Sequence, residues 1–166
     1  MILDRLPSRR VFNFAGFAVC CGLMGFALFA QHVLLLDPCP LCVFQRVAVI
    51  SIGIIFLVAA LHDPAGAARI VYAALLGAAA LAGGAVAGRH AWLQQLPPDK
   101  VPSCGPGLDY MLETLPFTEV LSKVFTGSGE CAEIVWQFLG LSMPAWVLVW
   151  MIGFGIGGVW NNLRRG

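Results

Sequence analysis

Cys39-Pro40-Leu41-Cys42 is the stretch of this sequence best suited to chemistry. Two intervening residues let the sulfurs close a small ring, and such pairs are commonly redox-active. The pair opens an apolar run, and the partial positive charge of a helix N-terminus favours a thiolate. Arg46 follows Cys42 by four residues, which puts it on the same helix face one turn deeper. An arginine at that depth is costly without a partner. A thiolate or a polar cofactor headgroup would supply one; the alternative is an interfacial arginine snorkelling to lipid headgroups. A structural zinc site is the other common use of such cysteines. Zinc usually takes four Cys or His ligands at local spacings, and the chain has no second Cys-x-x-Cys, so redox chemistry is favoured and no metal is expected.

Cys104 and Cys131 form a second constellation. They lie in the turn-forming stretches Val101-Pro102-Ser103-Cys104-Gly105-Pro106-Gly107 and Thr126-Gly127-Ser128-Gly129-Glu130-Cys131, which predict exposed loops. A disulfide there is either accessible to an attacking thiolate or a staple that stabilises by about 2–4 kcal/mol. Two cysteine pairs on one membrane face favour a relay. His90 stands at the outer end of an apolar run, where a lone histidine is usually a satisfied polar residue. Cys20 and Cys21 are adjacent in the first apolar run and read as packing, because buried cysteine behaves as a small hydrophobe. Trp136, Trp146, Trp150 and Trp160 read as core or interface anchors.

The elements that must position these residues are membrane helices. Apolar residues make up 59% of the 166 and charged residues 11%, against about half and a quarter in soluble domains. The net charge of +1 and the lack of a basic stripe set nucleic acid aside. A bilayer crossing takes roughly 20 apolar residues. Four runs qualify, at about 11–36, 43–61, 70–88 and 144–160, with Pro144 suited to a first helical turn. Gly77, Gly83, Gly84 and Gly88 in the third run suit close helix packing. The first run is too long for a signal peptide and lacks a clear cleavage site, so it is expected to be retained. The fold expected is an all-α, four-transmembrane-helix bundle forming a single membrane domain over residues 1–166.

Arg5, Arg9, Arg10, Arg69, Arg164 and Arg165 flank one set of helix ends. The long segment at the other side holds Lys100 and Lys123 against six acidic residues. The positive-inside rule then puts both termini in the cytoplasm. Loops at about 37–42 and 90–143 would face a periplasm, an oxidising compartment that permits disulfides. Phe117, Val120, Leu121, Val124 and Phe125 recur at helical spacing after Pro116. They predict a short amphipathic helix that lies at the membrane surface or packs against the rest of its loop.

Pro38-Cys39-Pro40-Leu41-Cys42-Val43-Phe44-Gln45-Arg46 resembles the signature of the DsbB family, bacterial inner-membrane proteins that reoxidise the periplasmic thiol oxidase DsbA. Gly127 to Glu133, continuing through Trp136-Gln137-Phe138-Leu139-Gly140-Leu141 to Met143-Pro144, is similar to the family's second loop and the start of its fourth helix. Gln31-His32-Val33 also fits. The resemblance implies that Cys104 is attacked by a reduced DsbA-like partner, that Cys131 completes that pair and exchanges with Cys39, and that Cys42 faces a membrane quinone, ubiquinone or menaquinone. It also implies that Arg46 and His90 lie at the quinone, with Gln94 one turn beyond His90. The loop is then expected to move to bring Cys131 to Cys39, with Gly127 to Gly129 as the hinge. Pro40 and Arg89 depart from the pattern as the best-known member has it, and both could shift the redox poise. Two other readings are a vitamin K epoxide reductase-like thiol–quinone enzyme, whose Cys-x-x-Cys is placed differently along the chain, and a non-catalytic membrane protein with structural disulfides, in which Arg46 would have no purpose.

Overall fold

The computed structural model describes residues 7–101, 108–127 and 129–164. Four helices in it are long and apolar enough to cross a membrane: α1 (Arg9–His32), α2 (Pro40–His62), α3 (Ala68–Leu93) and, last in the chain, α7 (Met143–Leu163). At 1.5 Å per residue they reach roughly 31–39 Å, enough for a hydrocarbon core of about 30 Å. The protein is an all-α, four-helix membrane protein. Among the described residues between α3 and α7 come a 3₁₀ turn (Pro98–Lys100), α4 (Leu108–Thr114), α5 (Phe117–Thr126), α6 (Gly129–Ala132) and a two-stranded hairpin of β1 (Gln137–Phe138) and β2 (Leu141–Ser142).

The helix ends differ from the apolar runs at several points, each with its own local cause. α1 stops at His32 rather than near residue 36, because the chain turns over Leu35, which is left-handed with φ 53°. α2 starts at Pro40, three residues before the expected 43, because proline at the first position lacks only an N–H that would be unpaired anyway. Cys42 therefore lies inside the helix and not in the loop at 37–42. α3 runs on to Leu93, past the expected 88, since Arg89 and His90 both have polar partners at that level. Pro144 occupies the first turn of α7.

α1 packs beside α2, α2 beside α3 and α3 along α7. Cys20, Val49, Ile52, Phe56, Leu76, Ala80, Met151 and Phe154 form the core between them. Cys20 is buried and packs on Gly53, while Cys21 is exposed on the outer surface of α1. Gly83 lets α3 approach its neighbours: a Cβ there would lie 2.7 Å from Met151 Sδ and 2.9 Å from Ala48 Cβ. Gly77 serves α7 in the same way less tightly, and Gly88 faces open space. Apolar side chains such as Leu81 and Ile156 point outward, where lipid covers them at no solvation cost.

One buried polar cluster ties the first helix to the last. Asn13, Asn161 and Asn162 are fully buried. The Asn162 and Asn161 amides donate to Asn13 Oδ1 at 3.1 Å, and Asn13 donates back to Asn162 Oδ1 at 3.2 Å. Such bonds in membrane bundles are worth about 0.6 kcal/mol each and up to about 1.7. Asn13→Ala is expected to destabilise the bundle by about 1–2 kcal/mol, read as a lower unfolding midpoint in detergent. Thiol chemistry at the opposite end should be unaffected.

At that opposite end a second apolar cluster joins Leu41, Val86, Leu93, Met111, Val120, Val124 and Cys131. Val120 and Val124 of α5 are buried in it. The amphipathic helix thus packs its inner face on the outer ends of α2 and α3.

Candidate redox site

Cys39 caps the N-terminus of α2. Its sulfur accepts the Cys42 N–H at 3.4 Å and its thiol donates to Cys42 Sγ at 3.0 Å. The pair is a dithiol in this structure. One turn along, Cys42, Gln45, Arg46 and Val49 fall at i, i+3, i+4 and i+7, the spacing of one helix face. All four line the same cavity of about 280 Å3.

That cavity lies between α1, α2, α7 and the hairpin. Phe26, Ala27 and Ala30 form the α1 wall, and Trp146, Val147 and Trp150 the α7 wall. Trp136 and Phe138 close it from the hairpin side, with rings stacked at 6.1 Å. The Trp146 indole N–H donates to the Phe138 carbonyl at 3.0 Å and pins the hairpin to α7. The hairpin turn itself is Leu139-Gly140, left-handed at both residues (φ 52° and 79°), as a two-residue turn between twisted strands requires. Three of the tryptophans that read as anchors in the sequence therefore line this cavity. Nothing in their spacing could have identified them, because Trp136 and Trp146 are brought together only by the hairpin.

Arg46 is partnered from α1: its guanidinium donates to Gln31 Oε1 and, at 3.2 Å, to the Ala27 carbonyl. These two neutral acceptors hold a charged group at a cavity wall that Asp37 also lines. Gln31 and Gln45 are residues of this site to which spacing assigned no role, although both stood in stretches carrying the family resemblance.

His90 sits behind the thiols. It is nearly fully buried, with Nε2 3.7 Å from Cys39 Sγ and Nδ1 2.9 Å from the Gln45 amide nitrogen. With that nitrogen as donor, Nδ1 is the acceptor and Nε2–H points at the sulfurs. Among the described residues His90 does not line the cavity; it reaches it through Gln45. Gln94 also stands away from the cavity and donates to the Glu133 carbonyl at 3.3 Å, holding the segment that carries Cys131.

Cys131, on α6, is buried and hydrogen-bonded to Cys39. That bond, then the bond to Cys42, then burial hold the Cys39 thiol above its ordinary range. Cys104 lies outside the described residues. Cys131 and Cys39 already lie side by side in this structure, the approach for which the loop motion was expected. The expected hinge is also held at its first residue. Gly127 has φ 89° and a Cβ there would strike Leu93. Arg89 donates to the Phe125 and Thr126 carbonyls at 3.1 and 3.0 Å, a cation on the C-terminal end of α5.

Arg89→Gln is expected to loosen this latch by about 1 kcal/mol. Exchange between Cys131 and Cys39 should slow several-fold, measured by quenched-flow alkylation. Electron delivery by a small dithiol acting on Cys39–Cys42 should keep its rate.

The arrangement defines a class: a multi-pass membrane protein with a dithiol at a helix N-terminus, a third thiol against it and an apolar cavity on the other side. The family model described as "Disulfide bond formation protein DsbB" matches residues 9–161, and the chain belongs to that family. The disulfide bond formation protein B of Hahella chejuensis is 54% identical over 147 residues, 89% of each chain. That of Nitrosococcus oceani is 51% identical over 162 residues, 98% of this chain and 95% of the relative. That of Acinetobacter baumannii is 48% identical over 161 residues, 96% of this chain and 94% of the relative. The function is disulfide bond formation, carried out as a thiol oxidoreductase.

Proposed function

We propose that this protein is a protein-dithiol:quinone oxidoreductase of a bacterial inner membrane, with both termini cytoplasmic. It would reoxidise a periplasmic DsbA-like protein and pass the electrons to ubiquinone or menaquinone. One observation carries the reading: Cys39 touches Cys131 on one side, while Cys42 and Arg46 line an aromatic cavity on the other.

The steps balance as thiol–disulfide exchange. A thiolate of the partner attacks Cys104 of a Cys104–Cys131 disulfide, and Cys131 leaves as a thiolate. The partner's second thiol resolves the mixed disulfide, leaving the partner oxidised and Cys104 and Cys131 reduced. Cys131 then attacks Cys39 of the Cys39–Cys42 disulfide, and Cys42 leaves. Cys104 closes back on Cys131 and releases Cys39. Two electrons and two protons have then reached the Cys39–Cys42 pair.

The cavity suits a quinone headgroup: its walls are mostly flat aromatic and apolar side chains, with the Cys42 thiol, the Arg46 cation, the Gln45 amide and the Asp37 carboxylate among them. A quinone bound there would supply a two-electron acceptor. Cys42 would present its sulfur to it, Arg46 would hold a positive charge near its oxygens, and Trp136 and Trp146 would keep water out. His90 would donate through Nε2 to whichever sulfur carries negative charge. Gln94 contributes at a distance, by positioning Cys131. Phe26, Phe138 and Trp150 at the rim are exposed, which suits access from the lipid side.

The test is purified protein in detergent with a reduced DsbA-like protein and excess ubiquinone or menaquinone, following the quinone's ultraviolet absorbance. Turnover that needs Cys39, Cys42, Cys104 and Cys131 together is the expected result. Absence of turnover with both quinones, with the protein folded and its disulfides intact, would overturn the reading.

A further inference from the structure

We propose that the reduced protein contains a thiophilic metal site, formed by Cys39, Cys42 and His90, that takes Zn2+ or Cd2+ and arrests the protein as a dithiol. The ligand atoms of the three residues all lie within 4.8 Å of one another. Zinc bonds of about 2.3 Å to sulfur and about 2.0–2.1 Å to nitrogen put tetrahedral ligand atoms about 3.5–3.8 Å apart. Cys39 Sγ and His90 Nε2 already stand at 3.7 Å, and the two sulfurs, at 3.0 Å, need to open by less than 1 Å.

The surroundings meet the other demands of such a site. A ligating imidazole needs its second nitrogen held by a hydrogen-bond acceptor. Gln45 is buried at 2.9 Å from Nδ1, and a half-turn of its amide presents the oxygen to Nδ1–H and frees Nε2 for the metal. Cys131, hydrogen-bonded to Cys39, stands where a fourth ligand could come from, with water as the alternative. Both thiols lose their protons on binding, so affinity rises with pH. Metal and disulfide exclude each other, since a disulfide sulfur has no thiolate to give. The ion therefore competes with oxidation of the pair, and in this respect the inhibition, though not the binding, rests on the function proposed above.

The experiment is a Cd2+ titration of the full chain in detergent, reduced and freed of reductant, followed by the thiolate-to-cadmium ultraviolet band and by equilibrium dialysis. One ion per chain, displaced by Zn2+ and absent after disulfide formation, is expected. Cys39→Ser or Cys42→Ser should abolish binding, and His90→Ala should weaken it at least about tenfold. His90→Gln serves as a second variant if the alanine protein does not fold. The double variant Cys20→Ser, Cys21→Ser should bind as the parent does. Failure of the reduced protein to bind, unchanged affinity in both His90 variants, or binding lost in Cys104→Ala would overturn the site. Turnover with quinone in the presence of the ion should fall and recover with chelator. A protein that binds cadmium but never turns over, metal or not, would count against the quinone reading and leave the site standing.

Discussion

Cys42→Ser should stop quinone-linked turnover and leave a disulfide between Cys39 and Cys131. In the parent, Cys42 is the sulfur that lines the cavity, 3.0 Å from Cys39. Without it Cys39 has no partner within α2, and the thiol it touches is Cys131. Starting from a Cys104–Cys131 disulfide, Cys39 attacks Cys131 and Cys104 leaves as the free thiol. No net oxidation is required, and the only way back is for Cys104 to close on Cys131 again, so the variant interconverts two disulfides and passes no electrons on. The loss of turnover should be at least about a thousandfold, the scale of removing an essential nucleophile. Peptide mapping under non-reducing conditions reads the Cys39–Cys131 linkage, and quinone absorbance reads the rate. Retained turnover would show that the electrons leave by another sulfur.

The second large effect is expected at Arg46. Its charge sits at the cavity wall with two acceptors from α1, Gln31 and the Ala27 carbonyl. If Arg46 stabilises charge developing at the acceptor, Arg46→Met should lower kcat about 10²–10³-fold, as loss of one preorganised donor does. Arg46→Lys keeps a charge but not the planar fork that reaches Gln31 and Ala27 together, so it should recover only part of the rate. Gln31→Ala tests the positioning itself. It frees the guanidinium from one of two anchors, and its effect should be smaller than that of Arg46→Met and absent when combined with it. In all three variants, single-turnover exchange between the partner protein and the loop cysteines should run at the parental rate. A slowed exchange would mean that the substitutions disturb the bundle and not the acceptor site.

Much of the fold was legible because membrane spans are written in composition. A helix must satisfy its own backbone in lipid, so an apolar run of the right length has few alternatives. Boundaries were less legible. α3 continues through Arg89 and His90, and α7 through Asn161 and Asn162, because those polar groups find partners on other elements. Hydropathy records the cost of such a residue and not the partner that offsets it.

The same division runs through the site. The sequence by itself determined the Cys39–Cys42 pair at a helix start, and the sharing of one face by Cys42 and Arg46, since both follow from the 3.6-residue turn. It also marked the membership of the family through two motifs well separated along the chain. Only the tertiary structure decided that Arg46 is held by Gln31, that His90 meets the thiols through a ring oriented by Gln45, and that Gln94 holds the Cys131 segment and not the cavity. It alone put Trp136 and Trp146 around one space and Cys131 against Cys39. Each of these joins groups on different elements, some of them scores of residues apart in sequence. Helical periodicity fixes which side chains share a face, but it carries no record of which faces meet.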